Sequence, residues 1–217
     1  MKLPMLIAVL ATSFTAVPAM AQDGASVFTG PRVEGRVGYD NATIRASVTD
    51  GVDRFSRSAV RSGAVYGGEL GYDAAAGANV LIGGYAGLEG ATTEECGELY
   101  GVDELCLSAG RSITAGARIG TRLGNRFAVY GKGGYSNTRV TLDYQDYEFI
   151  IPDYRESTNV DGFHLGAGVE GALPGGIYGR LEYVYTGYGE VSATADDITA
   201  TLKPHRHQVV YGMGIRF

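Results

Sequence analysis

The sequence predicts an all-β protein, an eight-stranded antiparallel up-and-down transmembrane β-barrel. The first observation is that eight segments alternate apolar with polar or small residues, which gives each strand one apolar and one polar face. The second is that short turns and long polar connections alternate between these segments, an asymmetry typical of membrane-spanning barrels. The third is the last segment, where Val209, Tyr211, Met213, Ile215 and Phe217 recur at every second position. Because an unpaired edge is unstable in lipid, we expect this strand to close the barrel against the first.

The first 21 residues have the features of a secretory signal peptide. Met1-Lys2 gives a positive start, residues 3–17 are mostly apolar, and Ala19-Met20-Ala21 forms a small-x-small cleavage site. We therefore expect one barrel domain over residues 22–217. After the signal peptide no run of 18 apolar residues occurs, so no helix is expected to span a membrane. The formal net charge of −6 argues against nucleic acid as a partner.

The eight predicted strands are separated by turn-forming residues. In chain order the strands cover residues 32–40, 64–73, 80–89, 112–121, a fifth that starts at Phe127, 162–173, 177–186 and 207–217. Short turns follow the second, fourth and sixth strands, at 77–79, 123–125 and 174–176. The long polar connections are expected at 41–63, 90–111, 137–161 and 187–204.

Each strand is predicted from its outward, apolar positions. In chain order these include Val33 and Val37, Tyr66 and Leu70, Ile82 and Leu88, Ile113 and Ile119, Phe127 and Val129, Leu165 and Val169, Leu181 and Tyr183, and the terminal alternation. The chain has 15 Tyr and no Trp, so tyrosine is expected to supply most of the aromatic belts at the two membrane interfaces. The predicted belt residues are Tyr39, Tyr72, Tyr135, Tyr183, Tyr185, Tyr211 and Phe217.

The inward positions of the strands carry charges of both signs. An eight-stranded barrel is just wide enough for inward side chains to fill it, and opposite charges in a closed lumen pair with each other. The sequence therefore predicts a polar plug that blocks free flow, with a narrow ion or small-solute path as the alternative. His164 is also predicted to lie in the lumen, near Glu170. The predicted lumen charge network consists of Glu34, Arg36, Glu69, Arg118, Lys132, Glu170, Arg180, Glu182 and Arg216.

Together these features resemble the small outer-membrane β-barrel family, which includes porin-family, opacity-type and OmpA-like proteins. The segments Tyr130-Gly131-Lys132-Gly133-Gly134-Tyr135 and Gly179-Arg180-Leu181-Glu182-Tyr183 are typical of that family. The resemblance implies an outer-membrane location among lipid and lipopolysaccharide, and a structural or surface-contact role in the envelope, with a host or other surface ligand at the long connections. It also implies that the barrel-assembly machinery recognises the terminal strand. The predicted assembly signal is Tyr211, Met213, Ile215 and Phe217.

Cys96 and Cys106 are the two cysteines of the chain, and both lie in the second long connection. An exported protein meets an oxidising compartment, so we expect a disulfide between them. The bond would close a loop of about 11 residues and stabilise the fold by roughly 2–3 kcal/mol on the chain-entropy model. The alternative is a metal site, but no histidine lies near and only carboxylates such as Glu95 could add ligands.

His205 and His207 stand where the last long connection enters the closing strand. With Asp196 and Asp197 they could form an acid–base cluster at the outer rim, where outer-membrane proteases and lipid A-modifying enzymes place such residues. A nucleophile, a base and an orienting group cannot be assembled from this set, so no enzymatic activity is predicted. The G-x-G-x-x-G pattern at 166–171 lies inside a strand rather than before a helix, so no dinucleotide or other cofactor is predicted.

Overall fold

The computed structural model describes residues 27–49, 54–92, 94–99, 103–146, 154–195 and 198–217. The predicted signal peptide lies outside these residues. The strands are β1 (Gly30–Thr49), β2 (Arg54–Ala75), β3 (Val80–Ala91), β4 (Glu94–Leu99), β5 (Asp103–Leu123), β6 (Phe127–Asp146), β7 (Tyr154–Ala172), β8 (Ile177–Tyr188), β9 (Val191–Ala195) and β10 (Ile198–Arg216). A short 3₁₀ turn, Pro174–Gly176, joins β7 to β8. No helix in the described part of the chain is long and apolar enough to span a membrane.

Eight of the strands close into an antiparallel barrel. Neighbouring strands pair in the order β1-β2-β3-β5-β6-β7-β8-β10, and β10 pairs back onto β1. At this seam Val33 lies opposite Ile215, and Tyr39 lies opposite Val209. The predicted fold class and the closing role of the last strand are therefore confirmed. The short strands β4 and β9 pair with β5 and β10 and lengthen the hairpins at one end of the barrel.

The long connections are hairpins for most of their described length. β1 and β2 stay paired up to Thr49 opposite Arg54, and β6 and β7 stay paired up to Tyr144 opposite Tyr154. Beyond the membrane both faces of a strand meet water, so the apolar alternation stops although the backbone pairing continues. The alternation of short and long connections holds, but the prediction that the long ones are loops is wrong. The affected ranges are 41–63, 90–111, 137–161 and 187–204.

The short connections fall at the predicted turns. Gly77 has φ of 130° and Gly124 has φ of 72°, both in the region that favours glycine over residues with a Cβ. These turns therefore need glycine, and they mark the end of the barrel that we call the short-turn end.

The outer face of the barrel is apolar. Large side chains such as Leu70 and Ile119 stand about three-fifths exposed on it. An apolar surface of this size is unfavourable in water and suits a lipid environment. Six of the seven predicted belt residues are exposed on this face, and Tyr185 is half-buried there.

The segment before β1 folds into the short-turn end of the lumen. Phe28 is fully buried and packs with Leu81 and Ala128. The Arg216 guanidinium lies 6.0 Å from the Phe28 ring centroid and donates a 3.1 Å hydrogen bond to the carbonyl of Val27. This small apolar cluster therefore covers the short-turn end of a lumen that is otherwise charged.

Candidate functional site

The lumen holds a larger charge network than the sequence analysis named. The nine predicted members are all buried on the inner face, and none is more than 7% exposed. Among the described residues the buried charged side chains number seven basic and seven acidic. The charges that the predicted set omitted are Arg32, Asp40, Asp73, Glu89 and Arg206.

The inward–outward alternation of side chains along the predicted strands places four of these five charges in the lumen. Arg32, Asp40, Asp73 and Glu89 stand at inward positions of predicted strands. Arg206 lay between the predicted long connection 187–204 and the predicted closing strand 207–217, and its burial follows from the longer β10. With these additions the charges in the lumen balance, which is the condition for burying so many of them in a closed space.

Glu69 on β2 is the centre of the network. Its carboxylate accepts hydrogen bonds from Arg32 Nη1 at 2.7 Å, Arg36 Nη1 at 2.6 Å and Lys132 Nζ at 3.0 Å. Arg180 Nη2 lies 3.0 Å from the same group. Four cations from β1, β6 and β8 thus converge on one carboxylate, which joins opposite sides of the barrel wall.

Glu182 on β8 is a second meeting point. It accepts hydrogen bonds from Arg36 Nη2 at 2.7 Å, Lys132 Nζ at 2.9 Å and the Tyr130 hydroxyl at 2.7 Å. Because Arg36 and Lys132 each contact both Glu69 and Glu182, neither cation can leave one carboxylate without disturbing the other.

A third cluster lies toward the short-turn end. Asp73 accepts two hydrogen bonds from Arg118, at 2.7 and 2.6 Å, and one from Arg216 Nη2 at 2.9 Å. Glu170 completes the square with Arg118 Nη1 at 2.9 Å and Arg216 Nη1 at 2.7 Å. Two arginines and two carboxylates thus form a closed ring across β2, β5, β7 and β10.

Three inward tyrosines support the cations, and each lies opposite a glycine of the next barrel strand. The pairs are Tyr85 with Gly116, Tyr130 with Gly168 and Tyr178 with Gly214. A Cβ atom at any of the three glycines would lie 2.6 Å from the paired hydroxyl oxygen. The tyrosine faces hold cations above them: Lys132 at 4.2 Å from the Tyr85 centroid, Arg118 at 4.7 Å from Tyr130 and Arg216 at 5.0 Å from Tyr178.

The outer part of the lumen carries fewer charges. Arg206 pairs bidentately with Asp40, at 3.0 and 2.8 Å. Between this pair and the main network lies a cavity of about 10 Å³, enough for roughly one water molecule. The side-chain nitrogen of Gln208, which lines the cavity, is buried without a partner. A single water there would satisfy it.

His164 lies in the lumen, but its partners differ from the expected neighbour. Nε2 hydrogen-bonds with the Tyr85 hydroxyl and Nδ1 with the Ser136 hydroxyl at 2.8 Å. The expected proximity to Glu170 is wrong, since six residues along a strand span about 20 Å. Both ring nitrogens are engaged, so His164 acts as a fixed interior hydrogen-bonding group.

His205 and His207 lie on the outward face of β10 rather than in the lumen. Both are half-buried, and the His207 ring lies beside Tyr183 and Tyr185. Asp196 and Asp197, their predicted acidic partners, lie outside the described residues. The structure therefore brings the two histidines together with aromatic residues.

Cys96 and Cys106 lie directly opposite each other where β4 pairs with β5. Their side chains are outside the described part of the structure, so the disulfide stays a prediction. No group of three or more histidine, cysteine, aspartate or glutamate residues that could hold a metal ion occurs among the described residues.

The family assignment rests on one match that covers most of the chain. The family model described as "Outer membrane protein beta-barrel domain" matches residues 7–217. The chain belongs to this family. Its location is the outer membrane, so the short-turn end faces the periplasm and the long hairpins face outward, as outer-membrane barrels are arranged. No curated protein matches the sequence.

Several solved structures are similar to this outer-membrane barrel. Ail, the attachment invasion locus protein of Yersinia pestis, is 14% identical over 81% of this chain and 98% of its own, with a TM-score of 0.39. Neisserial surface protein A is 13% identical over 83% and 97%, with a TM-score of 0.45. The outer membrane protease OmpT from Escherichia coli is 10% identical over 87% and 97%, with a TM-score of 0.46.

Proposed function

We propose that the protein is a closed structural barrel of the outer membrane, which contributes to envelope integrity and presents its outer hairpins for surface contacts. The observation that carries this proposal is the filled lumen with balanced charges. The described part of the lumen contains seven buried cations and seven buried carboxylates, and the cavity beside Gln208 has a volume of about 10 Å³. The hairpins that extend β1, β2, β5, β6, β7 and β10 outward are the parts available to a host or other surface ligand.

The energetics of the network favour a closed lumen over a narrow ion path. Removing one partner of a buried ion pair typically costs about 3–5 kcal/mol, because the remaining charge is left uncompensated. A passing ion would have to break contacts at Glu69, at Glu182 and in the Asp73–Glu170 ring in turn. Such a path requires several pairs to exchange partners together.

Single-channel recording in planar bilayers tests this proposal. The refolded protein, shown to be folded by its heat-modifiable gel mobility, is expected to give no resolvable current. A wide porin added afterwards to the same bilayer shows that insertion and detection work. A narrow channel would instead give discrete openings whose size changes in Arg118→Ala, a variant that opens the ring beside Asp73. Openings of that kind in the native protein would contradict the closed barrel.

The barrel-assembly machinery is the partner proposed for the terminal strand. Tyr211, Met213 and Ile215 follow one another along the outward face of the closing strand, and Phe217 is 75% exposed at the periplasmic rim. An exposed strand of this form can pair with another strand edge during assembly. The side chains are therefore accessible to a recognition step that precedes barrel closure.

Phe217→Ala is expected to lower the amount of assembled barrel in cells several-fold, measured by heat-modifiable mobility in outer-membrane fractions. The matched control is Phe127→Ala, because Phe127 is a similarly exposed phenylalanine at the same end of the barrel but starts β6. Equal assembly defects in both variants would mean that the aromatic belt, rather than the terminal signal, is responsible.

No reaction is included in the proposed function. The outward histidines contact Tyr183 and Tyr185, and no described serine or carboxylate hydrogen-bonds with them. Hydrolysis of a peptide or a lipid A ester needs an oriented general base that activates a side-chain nucleophile or a water molecule. Turnover of either substrate by the purified barrel, lost in His207→Ala, would contradict this part of the proposal.

A further inference from the structure

His205 and His207 form a pair of imidazoles on one face of a strand. They are two residues apart on β10, so both point outward, away from the lumen. Their ring centroids are 5.5 Å apart, with an interplanar angle of 86°. Tyr185 lies beside both, at 6.3 Å from the His205 ring and 5.2 Å from the His207 ring.

Tyr183 fixes the orientation of one of the two rings. Its hydroxyl lies 2.6 Å from Nδ1 of His207. When Nδ1–H donates to this oxygen, the lone pair of the ring lies on Nε2. A histidine that ligates a metal is commonly held in this way by a hydrogen bond from its other nitrogen.

We propose that His205 and His207 together bind one divalent transition-metal ion, with Zn²⁺ as the reference case. Imidazole nitrogen is a preferred ligand of zinc, copper and nickel. With Zn–N bonds of about 2.0–2.1 Å, two imidazoles on one tetrahedral ion place their ring centroids roughly 5 Å apart. The observed centroid distance of 5.5 Å lies close to that value.

The neighbouring groups are compatible with a bound cation. Asn41 lies opposite His207 and Thr43 lies opposite His205 on β1, and both are uncharged. Lys203 is the next outward residue of β10, and its ammonium is paired with Glu190 at 2.7 Å. Two protein ligands leave the other coordination positions to water, so we expect a site of moderate affinity rather than a closed structural site.

Calorimetric titration of ZnCl₂ into untagged, refolded protein in detergent tests the site. A Cys96→Ser/Cys106→Ser background removes thiol ligands. One Zn²⁺ per chain is expected, with affinity at least tenfold weaker in either His205→Ala or His207→Ala. Tyr183→Phe, which keeps the ring and removes the hydroxyl, is expected to weaken binding about tenfold. Tyr66→Phe, which changes an exposed outward tyrosine on β2, is the control and is expected to bind normally.

The pH dependence of the Zn²⁺ affinity provides a second measurement. Metal competes with protons for imidazole nitrogen, so affinity is expected to fall as the pH is lowered. Heat-modifiable mobility shows whether each variant is folded. Absence of saturable binding, or equal binding by the native protein and both histidine variants, would overturn the site.

Discussion

Glu69→Ala is expected to lower the free energy of unfolding by about 3–5 kcal/mol, because it leaves buried cations without a shared carboxylate. Arg32, Arg36, Lys132 and Arg180 all contact Glu69. All four are buried, none more than 7% exposed, so hydration replaces little of the lost contact. Glu69→Gln is expected to lose less, since it keeps the shape and one acceptor oxygen.

Urea unfolding in lipid vesicles measures this effect through the gel mobility shift or far-UV circular dichroism, because the chain contains no tryptophan to report on folding. The matched control is Glu190→Ala. Glu190 pairs with Lys203 at 2.7 Å, but the two side chains are 47% and 58% exposed. Such a surface pair contributes about 0–1 kcal/mol. If Glu69→Ala unfolded at the same urea concentration as Glu190→Ala, the lumen cations would have to be hydrated and the plug would be open.

The barrel and its inward face could be predicted because one physical constraint acts on the whole membrane-spanning part. Lipid on one side and a narrow lumen on the other impose a period of two, which placed Glu69, Arg118 and Glu182 inward. The constraint ends at the membrane surface. For that reason Arg206 was not included in the predicted closing strand, and the paired hairpins beyond the membrane were not predicted.

The partners within the lumen could not be predicted from alternation. Arg36 contacts Glu182 across 146 residues of sequence, and the contact depends on how strands on opposite sides of the wall are staggered. The pairing of tyrosine with glycine depends on the same register. The pattern places Tyr130 on the inner face, but only the β6–β7 register sets it opposite Gly168.

Gly168→Ala is expected to lower the unfolding free energy by about 1–3 kcal/mol, the usual range for adding a methyl group to a filled interior. The new Cβ would lie 2.6 Å from the Tyr130 hydroxyl oxygen and 2.8 Å from the carbonyl oxygen of Leu181. The tyrosine must move, which disturbs its 2.7 Å hydrogen bond to Glu182 and its contact with Arg118. One added methyl group is thus expected to disturb both the Glu182 cluster and the Asp73–Glu170 ring that contains Arg118.

A double-mutant cycle with Tyr130→Leu separates this mechanism from general loss of packing. Leucine lacks the hydroxyl that the new methyl group at position 168 would meet. The double variant is therefore expected to lose about 1 kcal/mol less unfolding free energy than the sum of the losses in the two single variants. Gly35→Ala is the control, because a Cβ there meets no atom within 4 Å and faces lipid. Additive effects in the cycle would show that the tyrosine adapts freely. A glycine opposite Tyr130 would then be unnecessary for the lumen network. The unfolding free energy lost in Gly168→Ala would be explained by disturbed strand pairing rather than by the Tyr130 hydroxyl.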